Sequence, residues 1–363
     1  MGFQCGIVGL PNVGKSTLFN ALTNAHIQAQ NYPFCTIEPN TGVVEVPDPR
    51  LTQIAQIAQS QKVIPSSMEF VDIAGLVAGA SEGEGLGNQF LSHIRSVQAI
   101  VHVVRCFEDE NITHVSGKVD PLDDITTIET ELALADIQTL EKAKVKFIKI
   151  SKTGDKKAMK QIATIDQMIA ELNENNHLSQ ELCQKEDCKE LCKIYQLLCA
   201  KPILFVANVG TPNETNPHVE KVAHYATQRN AQLLTLCAAI EAELAELSSE
   251  EQSEFLEELG LSEPGLHQVI RAGYELLGLE TFFTAGPKEA RAWTMKKYAR
   301  APQAAGCIHS DFEKHFIRAE VIAYKDYLEH QGEQGAKNQG LWRLEGKDYI
   351  VQDGDILTIR SSA

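Results

Sequence analysis

Short apolar runs punctuate the chain: Gly6 to Leu10, Val43 to Val46, Phe70 to Ile73, Ala99 to Val104, Ile203 to Ala207 and Leu233 to Leu236. Most are rich in β-branched residues and closed nearby by Gly, Asn, Asp or Pro, the pattern of buried strands. Helical periodicity lies between several of them, as in Ser16 to Asn24 and Gly87 to Ser96. Strands alternating with helices predict an α/β fold, a mainly parallel sheet covered on both faces.

That rhythm stops between about Pro121 and Cys199. Ile125, Ile128, Leu132 and Ala135 recur at helical spacing; Ile162, Ile165, Ile169 and Leu172 repeat it, and Leu191, Ile194 and Leu198 continue it. Such narrow stripes predict long helices packed as an antiparallel hairpin, with a turn near Lys152-Thr153-Gly154-Asp155. After about Gly278 the pattern changes again. Phe282 to Thr284, Ala304 to His309, Phe316 to Val321 and Ile356 to Ile359 read as short strands, and Asp353-Gly354-Asp355 as a turn. This end is expected to be a separate small α+β module.

Charge alters the picture. The 363-residue chain carries 33 basic and 49 acidic residues, a net charge of −16. Such a chain repels nucleic acid and anionic membranes on average, so any RNA contact must come from a local basic patch. One candidate exists: between Glu141 and Lys160, eight lysines meet two acids. Such a run serves as a solvated helix face more often than as a phosphate contact. Between Glu241 and Glu263 there are nine glutamates and no Lys or Arg. No stretch is long and apolar enough for a membrane span. The start, Met1-Gly2-Phe3-Gln4-Cys5, has no leader-like series of regions, and nine cysteines without a CxxC pair read as reduced thiols. A cytoplasmic location is therefore expected. Cys35, Cys188 and Cys192 read as packing residues.

Gly9-Leu10-Pro11-Asn12-Val13-Gly14-Lys15-Ser16 fits the phosphate-loop pattern G-x-x-x-x-G-K-[ST]. It follows a strand pattern, Cys5 to Val8, and precedes a helical one. The glycines let backbone N–H groups turn inward, and a helix N-terminus adds positive potential. Lys15 is the candidate for the β- and γ-phosphates, and the Ser16 hydroxyl for Mg²⁺. Asp72-Ile73-Ala74-Gly75 then forms D-x-x-G at a strand end. Asp72 would support Mg²⁺ through water, and the Gly75 amide would sense the γ-phosphate. Thr36 is the candidate for completing the metal shell. The glycines at 79, 83, 85 and 87 suggest a stretch that reports the γ-phosphate state.

Two omissions carry information. Leu76 follows Gly75 where Ras-like GTPases place the Gln that orients water, so another group must do so. The strand Ile203 to Ala207 leads into Asn208-Val209-Gly210-Thr211, where guanine-specific switches carry N-K-x-D. Thr211 offers no carboxylate to guanine, so guanine selectivity should be lost. ATP is expected, with relaxed base specificity as the rival.

Gly9 to Asn20, Asn31 to Asn40, Asp72 to Val77, Gly83 to Leu91 and Ile112 to Val115 together resemble the YchF/Obg-like ATPase family over essentially the whole chain. The resemblance implies an Obg-type G domain at 1–120 and 200–277, a helical coiled-coil insertion at 121–199 and a C-terminal TGS domain at 278–363. It implies ATP hydrolysis in preference to GTP and binding to the ribosome, mainly its large subunit, through rRNA contacts. It assigns water positioning to His114, which without it reads as a surface loop histidine. Phosphate contacts would come from Asn12, Val13, Gly14, Lys15, Ser16 and Thr17, and base contacts from Phe107, Asn208 and Val209. K⁺ beside the phosphates would be held by Asn12; otherwise Asn12 is simply tolerated in a tight loop. The family usually has Glu where this chain has Thr211. Cys237-Ala238-Ala239-Ile240-Glu241 would back the base. A GTPase of the Obg group and an RNA-binding module with incidental hydrolysis are the competing readings.

Overall fold

The computed structural model describes residues 3–24, 40–73, 86–115, 117–212 and 215–362. Thr36, Gly75, Leu76, the glycines at 79, 83 and 85, and Cys35 lie outside these residues. The described residues fall into two compact units, one from 3–24, 40–42 and those within 69–266, the other from 43–68 and 267–362.

The strands are β1 (Gln4–Val8), β2 (Thr41–Glu45), β3 (Lys62–Ile64), β4 (Ser67–Asp72), β5 (Ala99–Arg105), β6 (Ile203–Asn208), β7 (Gln232–Leu236), β8 (Leu279–Ala285), β9 (Glu289–Lys296), β10 (Phe316–Ile322), β11 (Arg343–Glu345) and β12 (Ile356–Ser361). One sheet runs β2-β4-β1-β5-β6-β7. Its neighbours from β4 to β7 are all parallel. All seven residues of β5 are buried, as a strand covered on both faces requires. The helices Lys15–Asn24 and Leu86–Ser96 fall where the pattern places them.

The long helical segment is also present. Pro121–Ser151 begins after Asp120, whose carboxylate accepts from Leu122 N, and Asp123 and Asp124 complement its dipole. Ile125, Ile128, Leu132 and Ala135 are buried. The chain turns at 152–155, Gly154 adopting φ +84°, and Asp155 caps the next helix, Lys156–Asn175. The two helices share a core that includes Leu140, Ile165, Leu172, Cys188 and Leu191. Ile194 departs from its expected stripe: it is 56% exposed, because Glu186–Tyr195 ends one residue later and Cys188 and Leu191 supply the inward face. Buried Glu129 joins this segment to the helix Pro217–Gln228 by accepting from Tyr225 Oη and Arg229 Nη1 at 2.6 and 2.7 Å.

The second unit holds the sheet β11-β10-β12-β8-β9-β3. It is mixed: β8 pairs antiparallel with β9 and parallel with β12. Ala304 to His309, expected as a strand, instead completes the helix Ala301–Ile308, with His309 the residue that ends it. Alanine is the best helix former, and Ala301, Ala304 and Ala305 put one buried face at i, i+3 and i+4. The strand β9 and the helix Pro49–Ala58 were not expected, although Leu51, Ile54 and Ala55 recur at helical spacing behind the cap Asp48 and Ala290 and Ala292 alternate inward.

One buried group makes the first unit acid-sensitive. His102 on β5 is 2% exposed, its ring 5.6 Å from that of Phe205. Burial, with the positive charge of Arg229, lowers its pKa to about 3. The unfolded chain therefore takes up the proton first as pH falls below about 6.5, and stability is lost down to the folded-state value. Denaturant titrations at pH 7 and pH 5 should show His102→Leu losing about 2 kcal/mol less than the parent over that interval. Equal losses would mean that His102 titrates alike in both states.

Candidate nucleotide site

The site forms at the C-terminal ends of parallel strands, where α/β sheets bind ligands. β1 stops at Val8, the chain turns through 9–14, and a helix starts at Lys15. Gly9 is required by close approach: a Cβ there would lie 2.7 Å from the Val103 carbonyl oxygen. Gly14 has φ +91°, and its Cβ would lie 2.2 Å from Asn208 Nδ2. Asn12 also has positive φ, +63°, and its amide nitrogen donates to the Thr113 carbonyl at 3.0 Å. This pins the loop beside the segment carrying His114.

Lys15 is buried and ion-pairs with half-buried Asp72, at the end of β4. Pairing offsets the cost of burying either charge alone. Ser16 and Thr17 stand exposed at the first turn of the helix. The Ser16 hydroxyl and Asp72 carboxylate are hard oxygen donors, and one or two protein ligands beside substrate phosphates are what Mg²⁺ takes.

Asn208 ends β6 and is 4% exposed. Its Nδ2 donates to Val13 O and its Oδ1 accepts from Ala238 N, each at 2.9 Å. One side chain thus ties the phosphate loop to the segment after β7. Cys237 lies within 3.4 Å of the Gly210 carbonyl, and Val209 is buried. Buried Glu241 accepts from Gly265 N and Leu266 N, at 2.8 and 3.1 Å; burial raises its carboxyl above the ordinary range despite those bonds. Phe107 stands beside Gly210, whose added Cβ would be 3.6 Å from that of Phe107. Thr211 is exposed.

His114 is not a surface residue: it is 6% exposed, and its Nε2 lies 3.0 Å from Asp124 Oδ2. Burial raises the Asp124 carboxyl, and the histidine partly counters it. Sequence reasoning missed Asp124, and it missed Arg105. Arg105 closes β5 yet is only 1% exposed. Its guanidinium donates to the carbonyls of Phe107, Ile112 and Asp109, at 3.1, 3.0 and 3.4 Å, and covers the Phe107 ring at 4.5 Å. An arginine ending an apolar strand before a loop was the available signal.

A phosphate loop between a parallel strand and a helix, an aspartate closing the adjacent strand, and an asparagine tying that loop to the segment after β7 define a P-loop nucleoside-triphosphatase of the G-domain type. Residues 4–149 match the family model MMR_HSR1, described as 50S ribosome-binding GTPase. Residues 279–362 match YchF-GTPase_C, described as a protein of unknown function. The ribosome-binding ATPase YchF of Haemophilus influenzae is 57% identical over 361 residues, covering 99% of each chain. That of Bacillus subtilis is 54% identical over 364 residues, with the same coverage. The solved Schizosaccharomyces pombe YchF GTPase superposes with a TM-score of 0.87 at 34% identity, covering 99% of this chain and 98% of its own. The chain belongs to the YchF family.

Proposed function

We propose that this chain is an Mg²⁺-dependent ATPase acting in the cytoplasm as a nucleotide-controlled switch on the ribosome, chiefly its large subunit and through rRNA. The observation that carries the reading is the base side of the site: Asn208 is committed to the loops, and the residue three further on is Thr211, with no carboxylate for guanine. Relatives at 57% and 54% identity carry the name ribosome-binding ATPase.

In this reading the backbone of 12–17 cradles the phosphates, and Lys15 neutralises charge as the γ-phosphoryl leaves. Ser16 and Thr36 would ligate Mg²⁺, with Asp72 in support; the ion would supply charge neutralisation at the β- and γ-oxygens. Gly75 would report the γ-phosphate. Phe107, Asn208 and Val209 would line the base. His114 would orient water once its loop turns it from Asp124. Asn12 would offer its amide oxygen to K⁺. The modules would be the G domain at 1–120 and 200–277, the helical insertion at 121–199 and the TGS domain at 278–363. No helix among the described residues is long and apolar enough to cross a membrane.

The GTPase reading has support in the family model that residues 4–149 match, described as 50S ribosome-binding GTPase, and in the S. pombe YchF GTPase. Cosedimentation with purified ribosomal subunits tests the switch. Binding to the large subunit should differ at least about fivefold between ATP and ADP, a coupling of roughly 1 kcal/mol. Equal binding in both states would favour an RNA-binding module with incidental hydrolysis.

A further inference from the structure

A cavity of about 490 Å³ opens at the end of the first sheet opposite the phosphate loop, lined by residues that precede β5 and β6 and by the helix Glu186–Tyr195. Its volume is that of a small-ligand site. Four of its lining residues are cations, Arg95, Lys189, Lys193 and Lys201, and none is acidic. This is a local excess of positive charge in a chain of net charge −16.

Two carboxylates of the lining helix are engaged elsewhere. Asp187 and Glu190, on the same helix as Lys189 and Lys193, pair with Lys160 and Lys157. Asp136, held by the backbone N–H groups of Leu198 and Cys199 at 3.0 and 2.8 Å, acts on both Arg95 and Lys201 and offsets only part of the charge of the four cations. The two inner cations are held in place. Arg95 donates to the Gln196 carbonyl at 3.2 Å and to Thr139 Oγ1 at 3.2 Å. Lys201 donates to the carbonyls of Arg95 and Val97. These bonds fix the heads without neutralising them. The two outer cations stand one helical turn apart on an exposed face. Fixed inner charges and adaptable outer ones suit a multiply charged oxyanion.

We infer that this cavity is a second phosphoryl-binding site, distinct from the nucleotide site and taking a phosphate group of a small molecule or of an RNA backbone. Burial and the neighbouring Arg95 lower the pKa of Lys201, so a bound anion would also relieve the strain of two close cations.

Calorimetric titration of the full chain at low salt tests this, in a Lys15→Ala background that weakens the phosphate loop. The probes are inorganic pyrophosphate and, separately, a six-nucleotide single-stranded RNA without terminal phosphates. At least one should bind. Lys189→Gln/Lys193→Gln should weaken that binding tenfold or more, while Lys142→Gln/Lys146→Gln, which removes the same charge from the helix Pro121–Ser151, should leave it within twofold. Binding of pyrophosphate marks a small phosphorylated ligand, and binding of the RNA alone marks backbone phosphate; either supports the site. Absence of binding by both probes, or equal losses in the two double variants, would overturn it.

Discussion

Replacing Lys15 with Ala is expected to lower ATP turnover at least about 100-fold, the usual scale for removing one charge that stabilises a phosphoryl-transfer transition state. Lys15 is buried at the start of the helix and already lies against Asp72. Its loss removes the positive charge at the phosphates and leaves the Asp72 carboxylate without that partner. Both effects act on the same site, so ATP affinity should fall as well. Single-turnover kinetics with saturating nucleotide separate the chemical step from binding, and a thermal melt shows whether the fold is intact. Turnover within tenfold of the parent, in a folded variant, would remove Lys15 from the mechanism.

Arg105→Ala should be among the most destabilising single changes in the first unit, costing about 3–5 kcal/mol. The loss has two parts. Deleting a fully buried side chain leaves a cavity, and the carbonyls of Phe107 and Ile112 lose their donor. The loop between β5 and His114 would then lose its anchor, although the sheet beneath it stays paired through Val104 and Ala207. Arg105→Lys should fall between, since one ammonium cannot reproduce a planar fork reaching several carbonyls. Urea denaturation measures the loss directly, and ATP turnover should fall with it. A change under 1 kcal/mol for the alanine variant would mean that the loop is held by other contacts.

The legible parts of this protein are those encoded locally. The phosphate loop, the strand ending in Asp72 and the capped helical hairpin each occupy one stretch of sequence, and their periodicity and turn chemistry specify them. Ala304 to His309 failed for a local reason too: a short apolar run fits either a strand or a buried helix, and alanine content decides it. The assignments that depend on distant partners were not legible. His114 reads as exposed until Asp124, ten residues on, is folded against it. Asn208 reads as a base contact, and only the fold shows its amide also tying Val13 to Ala238, far apart in the chain. Residues 43–68 group with the C-terminal unit, which no period in their own sequence announces. Arg105 escaped notice because a charge at a strand end ordinarily faces water.

Selection of ATP over GTP should follow from a G-domain site that lacks the guanine-reading carboxylate. It is tested most directly by competition between ATP and GTP for the purified full-length protein, with Mg²⁺ and K⁺ present and Lys15→Ala as the control. ATP should displace a fluorescent nucleotide at lower concentration than GTP, and both should fail in the control. Tighter binding of GTP would contradict it and would make the protein a GTPase whose guanine contact lies outside Asn208 to Thr211.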